Sequence, residues 1–501
     1  MRKIIGWMLV LALILCAAAA GAEGPVMAGL DLEESHHDWD NNTFLRKMEE
    51  RTGVQFTYKQ YNNASEYTVW KRSLAKPGAE LPDILFKAAL TDEDTLSLYE
   101  QGVLIDLAPL LEENAPNLWA LLQEHPDWQA SLRLPDGAIA ALPLIDPLQS
   151  NNLIWINKRW LTMTRQEMPT TAEELTEVLR VFKAQDPNRN SRGDEVPMTF
   201  TGMWDLRFLQ HAFGLVLNDY GLSADENGTV TCGLTGEQNR QFLTWLHQLW
   251  EEELIDRMGF STSDKMRQIT DSNADIPYGI VFGPSILQLL PGSAMEDYAV
   301  LPPLSWEGKQ VYRSFQGSLT RGTFAITRAC ADPAAMLRWV DFLYTEEGCY
   351  LSHSGVLDDD YEVHADGSWS WLYSAEDVMG VVMTEDTIAD GGAIPGYVPP
   401  SYQLSFDDES THRQIESMAA VAEIAREAVP SAYLTAEESA RLASLWAPIM
   451  EYAETQMTWF VTGDAALTDE TWNTFCAKLD ELGMPEVVAV WQQVMDRRGG
   501  N

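Results

Sequence analysis

Basic residues are scarce in this chain of 501 residues, which has 34 Lys and Arg against 75 Asp and Glu and a formal net charge of −41. Nucleic-acid phosphates and anionic membrane surfaces both attract clustered Lys and Arg. The charge balance therefore argues against a nucleic-acid partner and against attachment to an anionic membrane surface through clustered Lys and Arg. An acidic exterior otherwise indicates little more than solubility.

Long apolar runs are also missing after the N-terminus, where no stretch approaches the ~18 residues of a membrane span. The N-terminus itself has a basic start, an apolar stretch up to Cys16 and a small-residue cleavage site at 20–22. This pattern predicts a secretory signal peptide over 1–22 and a protein at the extracellular face of the cell envelope. A lipid anchor through Cys16 is the alternative. It is not favoured, because Leu15 stands where the lipoprotein peptidase requires a small residue.

Cysteine is nearly absent, with five in the whole chain. None of the four in the mature chain forms a C-x-x-C pair, and no His stands at metal-site spacing from any of them. One or two disulfides in an extracellular protein are kept as an alternative, although isolated buried thiols are the simpler interpretation. The four are Cys232, Cys330, Cys349 and Cys476.

Familiar catalytic motifs are missing as well. The sequence contains no G-x-S-x-G, H-E-x-x-H, P-loop or G-x-G-x-x-G pattern. A glycosidase pair of carboxylates ~5–10 Å apart stays open, because such a separation cannot be read from sequence. A secreted polysaccharide-acting enzyme is therefore kept as an alternative, and a structural surface module comes third.

The chain is long enough for two or more cored domains, and its opening alternates extended and helical segments. Strands are predicted at 25–30, 54–58 and 82–86, with a helix through 44–51 between the first two. This rhythm predicts an open α/β sheet, in which ligands bind beyond the carboxyl ends of the strands. The tail is predicted to be helical over 410–428, 435–460, 469–482 and 485–497.

Aromatic residues are plentiful, with 18 Trp, 16 Tyr and 16 Phe, and a Trp face can act as a platform for a sugar ring. Trp39, in the polar loop after the first strand, is predicted to be such a platform, with Asp38 or Asp40 as a hydroxyl acceptor beside it. The adjacent His36 and His37 suggest a metal site. A solvated loop is the simpler interpretation, since neighbouring side chains point in different directions.

Trp204 followed by Asp205 comes after a predicted strand and a Gly turn, and is the strongest single sugar-stacking candidate. A Trp packed on the core at the start of a helix is an equally weighted interpretation. The aromatic-rich segment 357–407 is expected to line a cleft, with a loop-rich cover over the core as the alternative. The predicted ligand-binding residues are Trp39, Asp40, Trp155, Trp204, Asp205, Trp369, Trp371 and Tyr397.

Oxygen-bearing side chains recur at every second position in the run from Asp186 to Glu195. Ca²⁺ takes about six to eight oxygen ligands, including carboxylates, amide carbonyls and a backbone carbonyl. The run departs from an EF-hand, since Ser191 replaces the mid-loop Gly and Pro197 stands at the twelfth position. A structural Ca²⁺ site is predicted, with an Asx-rich surface turn as the alternative. The predicted ligands are Asp186, Asn188, Asn190, Arg192 through its carbonyl, Asp194 and Glu195.

The same run resembles the calcium loop of family 1 extracellular solute-binding proteins of ABC importers, notably the alginate-binding and lipoprotein-like oligosaccharide binders. Thr-Glu-Glu-Gly at 345–348 and Ser-Gly-Val at 354–356 also resemble a signature of that family. The tail around 460–464 and 479–484 resembles its C-terminal pattern. The resemblance covers nearly the whole mature chain, and its most specific parts are the calcium loop and the tail.

The resemblance implies a periplasmic-binding-protein-like α/β fold of two lobes with a hinge and a helical C-terminal region. The N-lobe would comprise 23–150 with 308–356, and the C-lobe 151–307 with 357–501. The resemblance also implies a monomer without enzymatic activity, which captures an oligosaccharide or glycoside between its lobes and delivers it to the membrane permease subunits of an ABC importer. A peptide or another small solute is the competing ligand.

Overall fold

The computed structural model describes residues 24–148, 152–261, 277–284, 286, 289–290, 296–314 and 318–499. The predicted signal peptide over 1–22, and Cys16 with it, lies outside the described residues. Within them, no helix has both the length and the apolar character that crossing a membrane requires.

The strands are, in chain order, β1 (Val26–Leu30), β2 (Thr57–Tyr61), β3 (Ile84–Phe86), β4 (Leu142–Ile145), β5 (Leu153–Asn157), β6 (Val196–Met198), β7 (Leu222–Ala224), β8 (Val230–Cys232), β9 (Tyr278–Gly283), β10 (Tyr298–Val300), β11 (Ser305–Trp306), β12 (Lys309–Gln310), β13 (Tyr312–Arg313), β14 (Leu319–Ile326), β15 (Tyr361–Val363), β16 (Trp369–Trp371), β17 (Gly396–Tyr397) and β18 (Ala425–Arg426).

The α-helices are Thr43–Thr52, Ala64–Ser73, Asp92–Glu100, Ala108–Asn114, Pro116–Glu124, Pro126–Leu132, Lys158–Thr164, Ala172–Ala184, Gly202–Leu206, Glu237–Glu251, Pro333–Asp341, Glu346–His353, Ala375–Asp377, Pro400–Leu404, Glu409–Ala422, Ala436–Thr462, Asp469–Leu482 and Met484–Gly499. Short 3₁₀ segments occupy Glu33–Ser35, Arg207–Phe213 and Phe342–Tyr344, and a π-helix spans Val378–Asp386.

The N-lobe is built on a six-stranded sheet in the order β17-β4-β14-β3-β1-β2. β1 runs parallel to β2 and β3, and β4 runs parallel to β17, whereas β14 is antiparallel to both β3 and β4. The carboxyl ends of β1, β3, β4 and β17 consequently share one edge of the sheet. Buried apolar side chains fill β3 and the last three residues of β14, as expected for strands covered on both faces.

The C-lobe is built on a four-stranded sheet in the order β10-β5-β9-β6. β9 is antiparallel to β5 and parallel to β6. The loops that follow β6 and β9, together with the start of β5, lie at the edge that the chain crosses from the N-lobe. This lobe has its own hydrophobic core, which includes Trp155, Phe182 and Phe242.

The predicted division at 356/357 is wrong in part, because much of 357–407 belongs to the N-lobe. β17 extends the N-lobe sheet by pairing Gly396 and Tyr397 with Leu144 and Ile145. The N-lobe core also includes Ile388 and Ile394. Poor periodicity hid this return of the chain to the first sheet, since a two-residue strand carries no alternating pattern.

The last three tail helices appear where they were predicted, whereas the first ends at Ala422 and is followed by the short strand β18. Most buried residues of the tail pack in the C-lobe core. Tyr433 is an exception, because its side chain is buried in an N-lobe cluster with Leu90 and Leu134. The tail therefore fastens the two lobes together.

Two local predictions need correction. The second strand lies at Thr57–Tyr61, three residues later than the predicted 54–58. The four cysteines of the described chain are free thiols, as the simpler interpretation predicted, but only Cys349 is buried among them.

Candidate functional site in the cleft between the lobes

The cleft between the lobes holds two adjoining cavities of about 380 and 620 Å³. Ser314, Arg321, Glu427 and Ser431 line both. The larger cavity lies between the helix Asp92–Glu100 of the N-lobe and the segment 218–220 with the tail of the C-lobe. The smaller cavity lies beside Leu148, Leu153 and Ser318, where the chain crosses between lobes. Their volumes match those of small-molecule sites, about 300–1,000 Å³.

The N-lobe wall of the larger cavity carries an arginine–carboxylate pair. Arg321, on β14, forms an ion pair with Asp92 at the start of the helix Asp92–Glu100. Its guanidinium also donates to the carbonyl of Ser131 at 3.0 Å and lies 4.4 Å from the ring centre of Tyr433. Burial raises the pKa of Asp92, and the charge of Arg321 opposes that rise. Arg321 is thus held from three sides beside the cavity.

The C-lobe wall carries a second pair of the same kind. Arg313, on β13, lies 2.6 Å from Asp219 and 5.4 Å from the ring centre of Phe208. The neighbouring Tyr312 donates its hydroxyl to the carbonyl of Asn152 at 2.7 Å, which fixes this strand near the crossing. Each wall therefore presents N–H donors and carboxylate acceptors side by side, a combination suited to hydroxyl groups.

Aromatic rings line both cavities at positions that the sequence analysis did not select. The ring centre of Tyr220 is 4.3 Å from Trp446 and 5.5 Å from Trp491, and Tyr220 and Trp491 line the larger cavity. Trp128, in the smaller cavity, stacks on His125 at 3.7 Å. Helical periodicity indicates that such residues belong to the core. Only the position of the opposite lobe shows that they face a cavity instead.

Three predicted platforms are wrong as solvent-facing surfaces. Trp39 is 1% exposed and donates its Nε1–H to Asp31 at 2.7 Å. Trp155 donates to the carbonyl of Gly283 at 2.9 Å from within the C-lobe core. Trp369 is likewise buried and donates to the carbonyl of Tyr402. In each case an acceptor inside the same lobe satisfies the indole N–H and lets the ring be buried.

Trp204 is 39% exposed, on the short helix Gly202–Leu206 that follows β6. Its ring makes an edge contact with Phe208 at 5.2 Å between centres, and Phe208 contacts Arg313 of the cleft wall. Asp205, by contrast, is buried and accepts hydrogen bonds from the Thr201 backbone N–H at 2.7 Å and from Asn152 Nδ2 at 3.1 Å. Trp204 therefore stays a ligand-binding prediction, whereas Asp205 holds the start of the short helix.

The other three predicted ligand-binding residues stay predictions. Asp40 is exposed, and its backbone N–H donates to the side chain of Asp38. Trp371 is half-buried and makes an edge contact with Trp369. Tyr397 is half-buried on β17, at the sheet edge that faces the crossings. Asp40, Trp371 and Tyr397 are outside the described lining of the two cavities.

A buried ionic network at the carboxyl ends of β1 and β3 was missed from sequence. Asp31 Oδ1 lies 2.9 Å from Lys87 Nζ, and Asp31 Oδ2 lies 2.9 Å from His37 Nδ1. Burial would raise the pKa of Asp31, but the His37 hydrogen bond and the Lys87 charge outweigh it and hold that pKa below its usual value. The solvated-loop interpretation of His37 is therefore wrong.

The same network fixes the π-helix Val378–Asp386 and the segment that follows it. Lys87 Nζ donates to the carbonyl of Ile388 at 3.1 Å and to that of Asp390, and the His37 ring contacts the carbonyl of Met383 at 2.8 Å. Burial lowers the pKa of Lys87 to about 8, although the Asp31 charge opposes the drop. The sequence feature that could have revealed this network is a Lys directly after a buried apolar strand.

Asp146, which follows β4, lies at the same edge of the sheet. Its Oδ1 accepts from the backbone N–H of Leu148 at 2.9 Å and from Gln403 Nε2 at 3.1 Å. Burial raises the pKa of Asp146 to about 6, and these two neutral donors only partly counter that effect.

In the predicted metal loop, oxygen atoms and backbone N–H groups interlock. Asp186 accepts from the backbone N–H of Asn190 at 3.1 Å and of Ser191 at 2.9 Å. The side-chain amide of Asn190 lies 3.0 and 3.1 Å from the two oxygens of Asp194. Ser191 has a φ of 60°, the left-handed conformation for which a loop of this kind often uses Gly.

The sequence profile of the bacterial extracellular solute-binding proteins matches residues 39–348, which is more than half of the chain. The chain belongs to this family. FusA, a fructooligosaccharide ABC transporter substrate-binding protein of Streptococcus pneumoniae serotype 4, is 26% identical to this solute-binding protein over 488 residues, which cover 93% of this chain and 89% of FusA. The family expectation is confirmed.

Two solved structures share the fold of this solute-binding protein. An EF-hand mutant of S. pneumoniae FusA in complex with fructo-nystose is 23% identical, with a TM-score of 0.68 over 96% of this chain and 100% of that one. The alginate-binding protein AlgQ2, solved without calcium ion, is 19% identical, with a TM-score of 0.64 over 95% of this chain and 99% of that one. The prediction of a two-lobe α/β fold is confirmed. FusA is a substrate-binding protein of an ABC transporter, and AlgQ2 is an alginate-binding protein.

The metal loop of this solute-binding protein can be tested for its fit to Ca²⁺. Glu195 Oε1 is buried and has no hydrogen-bond partner among the described residues. Burial raises the pKa of Glu195, and the charges of Asp186 and Asp194 raise it further. No group of three His, Cys, Asp or Glu in the described chain forms a metal cluster by itself. A hard cation would instead draw on Asn and backbone oxygens beside the carboxylates, and the orphaned Glu195 oxygen fits that donor set.

Proposed function

We propose that this solute-binding protein captures an oligosaccharide in the cleft between its lobes and delivers it to the membrane permease subunits of an ABC importer. The observation that carries the proposal is the cleft itself, in which each wall presents an arginine–carboxylate pair beside aromatic rings. The likeness to FusA supports a saccharide as the ligand class. Closure by rotation at the crossings would bring the two walls together on the ligand.

The proposed contacts follow from the cleft walls. The pairs Arg321–Asp92 and Arg313–Asp219 would hydrogen-bond sugar hydroxyls, and Tyr220 would pack against a ring face. The remaining predicted residues, Asp40, Trp204, Trp371 and Tyr397, would contact a ligand long enough to extend beyond the two cavities.

The test is thermal unfolding of the mature protein with a panel of oligosaccharides, peptides and amino acids. A ligand that binds the native state alone raises the unfolding midpoint by mass action. We expect a rise with an oligosaccharide and none with peptides. A rise with peptides alone would contradict the saccharide assignment.

Absence of catalysis is part of the same proposal. The saccharide that stabilises the protein is incubated with it and then analysed by chromatography. We expect the saccharide to be recovered intact, since binding and delivery require no bond cleavage. Shorter products that accumulate with time would support the polysaccharide-acting enzyme instead.

We further propose that the loop at 186–195 binds one structural Ca²⁺. The structure of an EF-hand mutant of FusA supports the assignment, as does the AlgQ2 structure solved without calcium ion. The proposed ligands are Asp186, Asn188, Asn190, the carbonyl of Arg192, Asp194 and Glu195. The ion would satisfy the buried Glu195 oxygen and neutralise the neighbouring carboxylates.

Chelation tests the calcium proposal. We expect chelator to lower the unfolding midpoint of the wild-type protein, and added Ca²⁺ to restore it. The Asp186→Asn/Asp194→Asn variant should not respond to chelator. Asp225→Asn is the matched control, because Asp225 caps another turn of the same lobe through the N–H groups of Asn227 and Thr229. A wild-type midpoint indifferent to chelator would refute the site.

We propose that the protein acts as a monomer at the extracellular face of the envelope, released by cleavage after Ala22 rather than anchored through Cys16. The extracellular family supports the compartment. Mass spectrometry of the protein from its native host would distinguish the two N-termini, since acylation adds the mass of the lipid to Cys16. Light scattering would give the oligomeric state.

A further inference from the structure

We infer that the cleft selects uncharged oligosaccharides and rejects those that carry carboxylates. This inference rests on the proposed function and adds the charge of the substrate. The described residues that line the two cavities include six carboxylates and four guanidinium groups. They are Asp92, Glu93, Glu100, Asp127, Asp219 and Glu427, and Arg313, Arg321, Arg426 and Arg498.

Three of the four guanidinium groups already have partners within the protein. Arg321 pairs with Asp92, and Arg313 pairs with Asp219 at 2.6 Å. Arg498 donates to the carbonyls of Asp127 at 2.9 Å and of Ser431 at 3.2 Å. Carboxylates therefore balance the charges of Arg321 and Arg313, whereas Arg498 keeps its charge because its two acceptors are neutral carbonyls.

Arg426, the fourth, is exposed on β18. Against Arg426 and Arg498 stand the four other lining carboxylates, Glu93, Glu100, Asp127 and Glu427. Glu427 accepts from the backbone N–H of Ser431 at 2.8 Å. The local field of the described lining is thus negative, as is that of the whole chain with its net charge of −41.

A neutral hydroxyl group suits these paired side chains. It can accept from the guanidinium and donate to the carboxylate at the same time, so the ion pair keeps its charge balance. At Arg321 or Arg313, a uronic or sialic acid carboxylate would have to displace Asp92 or Asp219 from its arginine. The displaced carboxylate and the ligand would then repel each other in a confined space.

Calorimetric titration with two sets of trisaccharides tests the inference. The uncharged set is kestose, maltotriose and 2′-fucosyllactose, and the charged set is 3′-sialyllactose and an alginate trisaccharide. At low ionic strength we expect binding from the uncharged set, with the charged set on the order of 100-fold weaker. A charged trisaccharide that binds as tightly as any uncharged one would overturn the inference and leave oligosaccharide capture intact. Binding of neither set would overturn both.

Variants locate the effect in the cleft. Asp219→Asn releases Arg313 and should strengthen 3′-sialyllactose binding about tenfold at low salt, with the gain shrinking as salt screens it. Asp92→Asn should do the same on the opposite wall through Arg321. Asp469→Asn is the matched control, because it releases Arg240 from an ion pair of 2.6 Å outside the cleft and should change nothing. If both cleft variants keep the wild-type unfolding midpoint and neither strengthens binding, the inference is refuted.

Discussion

Asp31 and Asp146 end two parallel strands at the same edge of the N-lobe sheet, yet their pKa values move in opposite directions. Asp31 is fully buried and has its pKa lowered, because Lys87 and His37 contact its two oxygens. Asp146 is less buried and has its pKa raised to about 6, because its donors are neutral amides. The charge of the partner, more than the depth of burial, decides how each carboxylate ionises.

The largest expected effect comes from removing that partner. Lys87→Met leaves Asp31 as a buried charge without its cation, and should lower the free energy of unfolding by about 3–5 kcal/mol. Urea unfolding at neutral pH measures it. The double variant Asp31→Asn/Lys87→Met removes both charges and should recover part of the loss. A single-variant loss below about 1 kcal/mol would show that the pair is not what holds this edge together.

A side chain added next to Asp31 should have the next largest effect on the free energy of unfolding. Gly391 has a φ of 74°, and a Cβ there would lie 2.1 Å from Asp31 Oδ1. Gly391→Ala should cost about 2–4 kcal/mol in unfolding free energy, from backbone strain and from pushing the loop away. Gly53→Ala is the matched control, since Gly53 has a φ of 71° with open space around it, and should cost about 1 kcal/mol. Equal losses would mean that Gly391 does not approach Asp31 this closely.

Asp146 should make stability depend on pH in the opposite sense to Asp31. Its pKa rises from 3.8 to about 6 on folding, so the folded state holds an extra proton between these values. Its contribution is fully present below pH 3.8 and is lost as the pH rises through 6, up to about 3 kcal/mol. Asp146→Asn keeps an acceptor for Leu148 and should abolish this loss. Urea unfolding of both proteins from acid to neutral pH measures it, and parallel curves would contradict the raised pKa.

The smallest effect is expected for an ion pair of good geometry at the surface. Arg51 Nη1 and Nη2 lie 2.7 and 2.9 Å from the two oxygens of Glu347, and both side chains are exposed. Glu347→Gln should cost only about 0.5 kcal/mol, because water and salt screen the pair. Guanidinium chloride would mask the pair, so urea is the denaturant of choice. A loss comparable to that of Lys87→Met would show that geometry matters more than burial.

Periodicity and local signals predicted the α/β rhythm and the tail helices from sequence, because each depends on residues a few positions apart. The calcium site at 186–195 stays a prediction. The platforms at Trp39, Trp155 and Trp369 were wrong because burial depends on partners that periodicity does not reveal. Trp39, for example, donates to an Asp31 carboxylate that Lys87 also neutralises. Trp128 and Trp491 were missed for the converse reason, since the other lobe turns a core-like helix position into a cavity wall.

The insertion of Tyr433 into the N-lobe has a consequence for the order in which the molecule can be made. The N-lobe sheet is complete only after β14 at 319–326 and β17 at 396–397 have been translated. Its cluster around Leu90 requires Tyr433 in addition. Closing such long loops is slow, because their entropy is lost before the contacts form. Neither lobe is thus encoded by one continuous segment of the gene. The N-lobe, whose translation begins first, is among the last parts of the chain to finish folding.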